Sequence, residues 1–194
     1  MTTPLKIYLV RHGETAWSLT GQHTGVSDIP LTPNGEVMAR KLATTLDGIT
    51  FTQVLTSPRL RARRTCELAG LSAQAKTEPL LAEWNYGEFE GLRTAEIRRQ
   101  RPAWDIWTDG CPGGETPDNI SRRADQVIAK LRDLSGNVIL FSHGHFGRVL
   151  AARWIGFPVA QGQRFALDPA SVSVLGFEAS HPETRVVLRW NAEA

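Results

Sequence analysis

Ile7-Tyr8-Leu9-Val10 runs without a break into Arg11-His12-Gly13. An apolar run this short fits a strand covered on both faces, as in a parallel sheet flanked by helices. Val138-Ile139-Leu140-Phe141 repeats the pattern and leads into Ser142-His143-Gly144. Gln53-Val54-Leu55-Thr56 is a shorter version that stops at Ser57-Pro58. Helical stretches separate these runs. Thr32-Pro33 reads as an N-cap followed by proline at the first helical position. Val37, Met38, Leu42 and Leu46 then fall on one side of a helix ending near Gly48. Ser57-Pro58 gives the same start signal for a helix over Arg59–Ala69, with Gly70 as its stop. Thr116-Pro117 opens a third helix, in which Ile120, Ala124, Val127, Ile128, Leu131 and Leu134 follow helical spacing. A fourth is expected over Phe146–Ile155, stopping at Gly156, and Ser171–Phe177 with Arg185–Trp190 read as a late pair of strands. Strand–helix alternation argues an α/β fold with parallel strands. Tyr86–Gly114, rich in Trp and Gly, is less regular and reads as an inserted segment and a candidate lid.

At 194 residues the chain is long enough for one well-buried core and short for two. No repeat, low-complexity tract or linker divides it, so residues 1–194 read as one domain. Apolar residues at 41% and charged residues at 22% exclude a disordered or fibrous chain. Lys+Arg 22 against Asp+Glu 20 leaves +2, too balanced to imply a nucleic acid or a membrane surface as partner. Cys66 and Cys111 cannot build a disulfide framework, and no CxxC pair suggests zinc. No apolar run approaches the roughly 18 residues of a membrane helix. Met1–Pro4 lacks the regions of a signal peptide, so the expected location is cytoplasmic. The sequence leaves open whether the chain forms a homo-oligomer.

Ligands in open α/β sheets bind beyond the carboxyl ends of the strands. Arg11 and His12 follow one apolar run, His143 follows another, and Arg61 lies in the first turn of the helix after the third. With the three strands as parallel neighbours, two imidazoles and two guanidiniums meet, and a helix N-terminus adds positive potential. Such a pocket suits a multiply charged anion, phosphate above all, because guanidinium forks match its oxygens. A neutral imidazole is a nucleophile near pH 7. Burial and neighbouring arginines disfavour imidazolium, so His12 is the candidate nucleophile, forming a phosphohistidine that water hydrolyses. Arg11, Arg61 and His143 would hold the phosphoryl oxygens as charge develops. Guanidinium groups then do what a metal ion would, and the reading calls for neither metal nor cofactor. The leaving alkoxide still needs a proton, and a carboxylic acid beside a dianionic phosphate can carry one. Glu83, in Ala82-Glu83-Trp84-Asn85-Tyr86-Gly87, is the first candidate; Glu14 and Glu88 compete on composition alone.

Leu9-Val10-Arg11-His12-Gly13-Glu14-Thr15 resembles the signature of the histidine phosphatase superfamily, which includes the cofactor-dependent phosphoglycerate mutases. Ser57 to Thr65 resembles its second motif, with the family arginine at Arg61. Glu83 with Tyr86-Gly87 and Glu90-Gly91 resembles its acid-bearing segment, and Phe141-Ser142-His143-Gly144 its second-histidine motif. Four motifs in this order are far more specific than any one. The resemblance implies a three-layer α/β/α sandwich with a mostly parallel central sheet and a phosphohistidine intermediate. It gives His12 as nucleophile, Arg11, Arg61 and His143 as the phosphate pocket, and Glu83 as proton donor or acceptor. Gly21 to Gly25, Asp28 to Thr32, Trp104 to Cys111 and Gly113 to Thr116 resemble a subgroup of small phosphatases. That subgroup includes sedoheptulose 1,7-bisphosphatase-like enzymes and bacterial acid phosphatases. By the same resemblance Thr24 and Gly25 lie along the substrate groove, with Tyr86, and Ser18 stands where many mutases carry asparagine. Mutases usually carry an arginine where this chain has Trp84, a longer insertion after the acid and a tail over the site.

The leading expectation is therefore a metal-independent phosphomonoesterase acting on small phosphorylated metabolites, sugar phosphates among them. A phosphoglycerate mutase and a catalytically idle phosphate sensor are the alternatives. His143-Gly144-His145 also has the spacing of half a metal site, and His145 otherwise reads as a rim residue. Trp84, Trp104 and Trp107 read as packing residues, one of which could line the groove. Arg59, Arg63 and Arg64 read as solvated or ion-paired, Cys66 as core, Cys111 as loop, and His23 as undecided.

Overall fold

The computed structural model describes residues 3–194; Met1 and Thr2, the head of the segment read as lacking a leader, lie outside the described residues. Its strands are β1 (Lys6–Arg11), β2 (Phe51–Thr56), β3 (Ala75–Thr77), β4 (Asn137–Ser142), β5 (Val172–Phe177) and β6 (Arg185–Ala192). Its α-helices are α1 (Ala16–Thr20), α2 (Pro33–Thr45), α3 (Leu60–Leu68), α4 (Thr94–Gln100), α5 (Ile106–Asp109), α6 (Pro117–Arg132) and α7 (Gly144–Trp154). All strands join one sheet in the spatial order β3-β2-β4-β1-β5-β6, in which only β5 runs against the others. The apolar runs 7–10, 53–56 and 138–141 are thus the three adjacent parallel strands β1, β2 and β4.

Uninterrupted apolar runs are needed because both faces are covered. Ile7, Leu9, Val138 and Leu140 join the core under α6 and α7, while Val10, Val54, Ile139 and Phe141 join the core under α2 and α3. Alternate side chains of one strand therefore serve opposite layers, and the architecture is the expected α/β/α sandwich. Register sets the functional edge. Arg11 lies opposite Ser142 in the β1–β4 pair, and Thr56 opposite Phe141 in the β2–β4 pair. The residues that follow each strand consequently leave the sheet side by side.

Two of the helix starts follow their sequence signals. Thr32 accepts from the Gly35 N–H at 2.9 Å and Thr116 from the Asn119 N–H at 3.1 Å, each with proline next. Ser57-Pro58 does not cap α3. That helix starts at Leu60, whose N–H goes to Asp28 at 2.9 Å, because the Ser57 hydroxyl is engaged elsewhere. The helix expected from Phe146 begins at Gly144, with His143 itself at the cap position. Residues 86–114 are more ordered than expected and carry α4 and α5. Cys111, read as a loop residue, is buried with Cys66, and burial pushes both thiols up to about 12, which leaves them unreactive.

The stripe of α2 also differs from expectation. Val37 is 55% exposed, and the buried positions are Gly35, Ala39 and Leu42. The reason is a backbone-to-backbone approach: a Cβ on Gly35 would lie 2.1 Å from the Glu14 carbonyl oxygen, and one on Gly13 would lie 2.5 Å from that of Gly35. This contact fixes the rotation of α2 and turns Val37 outward. Gly35→Ala is expected to cost about 1–3 kcal/mol, the usual penalty of overpacking. Urea unfolding checks this; an unchanged midpoint would mean that α2 can move away freely.

Candidate active site

His12 follows β1 and its N–H donates to the Ser142 carbonyl at 3.0 Å, locking the turn to β4. Its Nδ1 lies 2.7 Å from the Gly13 carbonyl. A carbonyl only accepts, so Nδ1 carries the proton. The Arg61 Nε donates to Nε2 at 3.3 Å, and a guanidinium has no lone pair to give, so Nε2 keeps its own. Burial first, then Arg61 and Arg11, holds the ring well below its usual range and therefore neutral. The His143 ring centroid is 5.2 Å away.

Arg61 is fully buried and reaches back to the chain after α1. It donates to the carbonyls of Ser27 at 2.8 Å, Thr24 at 2.8 Å and Gly25 at 3.2 Å. Arg11 donates to the Leu167 carbonyl, and its guanidinium lies against Gly144, where a Cβ would sit 3.4 Å from Cζ. The Arg11 Nε is buried without a partner. Behind it, the Ala170 N–H donates to the carbonyls of both Arg11 and His12 at 3.1 Å. Ala170 holds φ 56°, and Asn191 at the end of β6 holds φ 51°. Both are left-handed conformations that side chains rarely adopt. The Asn191 amide bonds the N–H and the carboxylate of Asp168, each at 2.7 Å, so the segment carrying Leu167 and Ala170 is pinned to β6.

The Nε2 of His143 is 2.7 Å from Ser57 Oγ, which itself accepts from the Arg59 N–H at 3.3 Å. Among the described residues the Ser57 hydroxyl proton has no acceptor but His143 Nε2. That leaves the proton of the neutral ring on Nδ1, which is buried and unpartnered. A buried donor without an acceptor is costly, and an anion oxygen would relieve it. Ser57 thus orients His143, whereas the sequence offered it as a helix start and as the head of the second motif.

Glu83 sits at the N-terminus of α7. Its carboxylate accepts from the N–H groups of Trp84 at 2.9 Å, Phe146 at 2.8 Å and His145 at 3.0 Å. The helix end expected to face the anion holds this carboxylate instead. Arg123 of α6 clamps the segment, donating to the carbonyls of Leu80 at 2.8 Å, Ala82 at 2.6 Å and Glu83 at 3.2 Å, and pairing with Glu115 at 2.8 Å. Sequence reasoning missed Arg123 because nothing local links α6 to residues 80–83. Glu14 is occupied at the start of α2 by Thr32 and Asn34, and neither it nor Glu88 lines the cavity.

That cavity has a volume of about 360 Å³ and is walled by Arg11, His12, Ser18, Thr24, Glu83 and Tyr86 among others. Arg61, His143 and Gly25 are not on its wall: the first two pack against His12 and the third holds Arg61. The Ser18 hydroxyl caps its own helix with Thr15. His23, Trp104, Trp107 and His145 line the cavity, whereas Trp84 is fully buried. Arg98 and Arg148, which the sequence did not single out, add two cations to the wall. Arg148 lies one helical turn after Gly144, a spacing that could have found it. Among the described residues no group of three or more His, Cys, Asp or Glu is arranged to hold a metal. The half-site spacing at His143 and His145 is instead used to reach Ser57 and Tyr86.

Residues 7–192 match the family model described as "Histidine phosphatase superfamily (branch 1)". The chain is 44% identical to an acid phosphatase of Mycobacterium tuberculosis, over 89% of this chain and 87% of that protein. It is 37% identical to the sedoheptulose 1,7-bisphosphatase of Saccharomyces cerevisiae, over 78% and 68%. It is 31% identical to a probable phosphoglycerate mutase of Photorhabdus laumondii, over 91% and 86%. A solved structure of a Mycobacterium tuberculosis open reading frame product superposes with a TM-score of 0.90 at 40% identity, covering 97% of each chain.

His12, His23, His143 and His145 are all pushed down, by burial first, His23 to about 4. Near pH 6.5 the unfolded chain gains protons that these folded rings refuse, so acidification costs stability. For His23 the loss runs from about 6.5 to about 4. The urea midpoint is expected to fall steadily between those pH values. A midpoint flat below pH 6.5 would mean that the native rings protonate freely.

Proposed function

The chain belongs to the histidine phosphatase superfamily, and we propose that it hydrolyses phosphate monoesters of small metabolites, sugar phosphates among them, through a phosphohistidine on His12. The observation that carries this reading is the His12 tautomer, which leaves a lone pair on Nε2 in a cluster of cations. Nε2 attacks phosphorus, the P–O bond to the alcohol breaks, and Glu83 gives the departing oxygen its proton. The Gly13 carbonyl accepts the Nδ1–H of the phosphorylated ring, where positive charge grows. Arg11, Arg61 and the unpartnered Nδ1–H of His143 take the phosphoryl oxygens. Water then attacks phosphorus, the N–P bond breaks and Glu83 recovers a proton, leaving phosphate and the starting enzyme.

A mutase must keep a bisphosphorylated intermediate and exclude water. Where mutases carry an arginine, this chain has Trp84, buried with its Nε1–H on the Glu115 carbonyl at 3.0 Å. That position offers no cation to a second anionic group, which favours hydrolysis over mutase action.

Wild-type protein given a labelled phosphate ester is expected to carry acid-labile label. His12→Ala should carry none and lose roughly 10⁴-fold or more in kcat. Free phosphate should appear from sugar bisphosphates and an aryl phosphate, without isomerised phosphoglycerate and with EDTA present. Isomerised product would replace this reading with the mutase, and phosphate binding without turnover would replace it with the sensor. Glu83→Gln should slow sugar phosphates by about 10²–10⁴-fold, the usual worth of a general acid, and aryl phosphates less. Equal losses would remove Glu83 as the acid.

A further inference from the structure

His145 is, with His23, one of two cavity-lining imidazoles that the phosphoryl chemistry leaves unused. Its Nδ1 is 2.7 Å from the Tyr86 hydroxyl. Among the described residues that hydroxyl has no other partner; when it gives its proton to Nδ1, the ring's own hydrogen sits on Nε2. Nε2 has no partner among the described residues either, yet it is not one of the buried unpaired atoms, so it opens to the cavity. Trp107 at 5.4 Å and Tyr86 at 5.8 Å between ring centroids leave the imidazole no room to swing. Burial, Arg148, His23 and Arg11 all disfavour a second proton on the ring. It therefore stays a one-hydrogen donor.

The position of this donor is tied to the acid. The backbone N–H of the same residue holds the Glu83 carboxylate at 3.0 Å. Glu83 and His145 line the same cavity, so an oxygen that receives the Glu83 proton would leave within the space that His145 borders. Asp105, also on the wall, supplies an acceptor, and Trp104 and Trp107 supply flat apolar faces. Donor, acceptor and aromatic faces together suit a polyhydroxylated alcohol better than a bare hydrocarbon one.

Building on the phosphatase reading of this site, we propose that His145, oriented by Tyr86, is the specificity residue that recognises the alcohol: its Nε2–H donates to a hydroxyl or carbonyl oxygen of a phosphorylated polyol beside the scissile ester. The test compares a hexose phosphate with phenyl phosphate, whose leaving group has no second oxygen. In His145→Phe, which keeps the ring contacts and removes the donor, the ratio of kcat/KM for hexose phosphate over phenyl phosphate should fall about 3–10-fold, the worth of one neutral hydrogen bond. The fall should come mainly through KM. His145→Gln, which restores a donor, should recover part of the ratio, and Tyr86→Phe should lower it. A ratio unmoved in His145→Phe, while that variant still turns over phenyl phosphate, overturns the assignment and leaves the phosphatase reading standing. If His145→Phe does not fold, the ratio in His145→Gln and Tyr86→Phe decides alone, and no change in either overturns the assignment. A wild-type protein inactive on both esters overturns both.

Discussion

Arg61 donates to Nε2 of His12, the ring nitrogen that carries no hydrogen. Its guanidinium is fully buried, and three of its other four hydrogens go to backbone carbonyls of residues 24, 25 and 27, leaving one on Nη1. A buried charge is tolerated only when its donors are satisfied and opposite charge is near, and Glu83 supplies that charge. The arrangement therefore couples three distant pieces of chain: the turn after β1, the start of α3 and the loop after α1. Burial of the ring first, then this cation and Arg11, keeps His12 neutral.

Glu83 is held in a similar way, by amides at the start of α7, and its segment is clamped from α6 by Arg123. His12 and Glu83 are thus held by different elements, β1 and the α6–α7 pair, which pack together through Ile7 and Leu9. Geometry between them is set by strand register, which is far stiffer than a loop.

Much of this was legible beforehand. The runs at 7–10, 53–56 and 138–141 announced buried parallel strands, and Arg11, His12, Arg61 and His143 follow from their ends. Glu83 was reachable through its chemistry and its motif. What escaped were long-range backbone bonds with no local signature. Nothing near Ser57 says that its hydroxyl serves His143 rather than α3. Nothing near Val37 reveals the Gly35–Glu14 contact that turns it outward. Arg123 reads as an ordinary helix cation until Leu80 and Ala82 are seen beneath it. His145 looked like a rim residue because its partner, Tyr86, is 59 positions away.

The pin between Asn191 and Asp168 ties the peptide behind Arg11 and His12 to an edge strand of the sheet. β6 pairs with β5 alone, at an outer boundary where fraying is cheapest. Asp168 joins that margin to Ala170, whose N–H holds the carbonyls of Arg11 and His12. Pairing at one margin of the sheet therefore bears on the position of Arg11 and His12, which lie at the end of a strand two places further in.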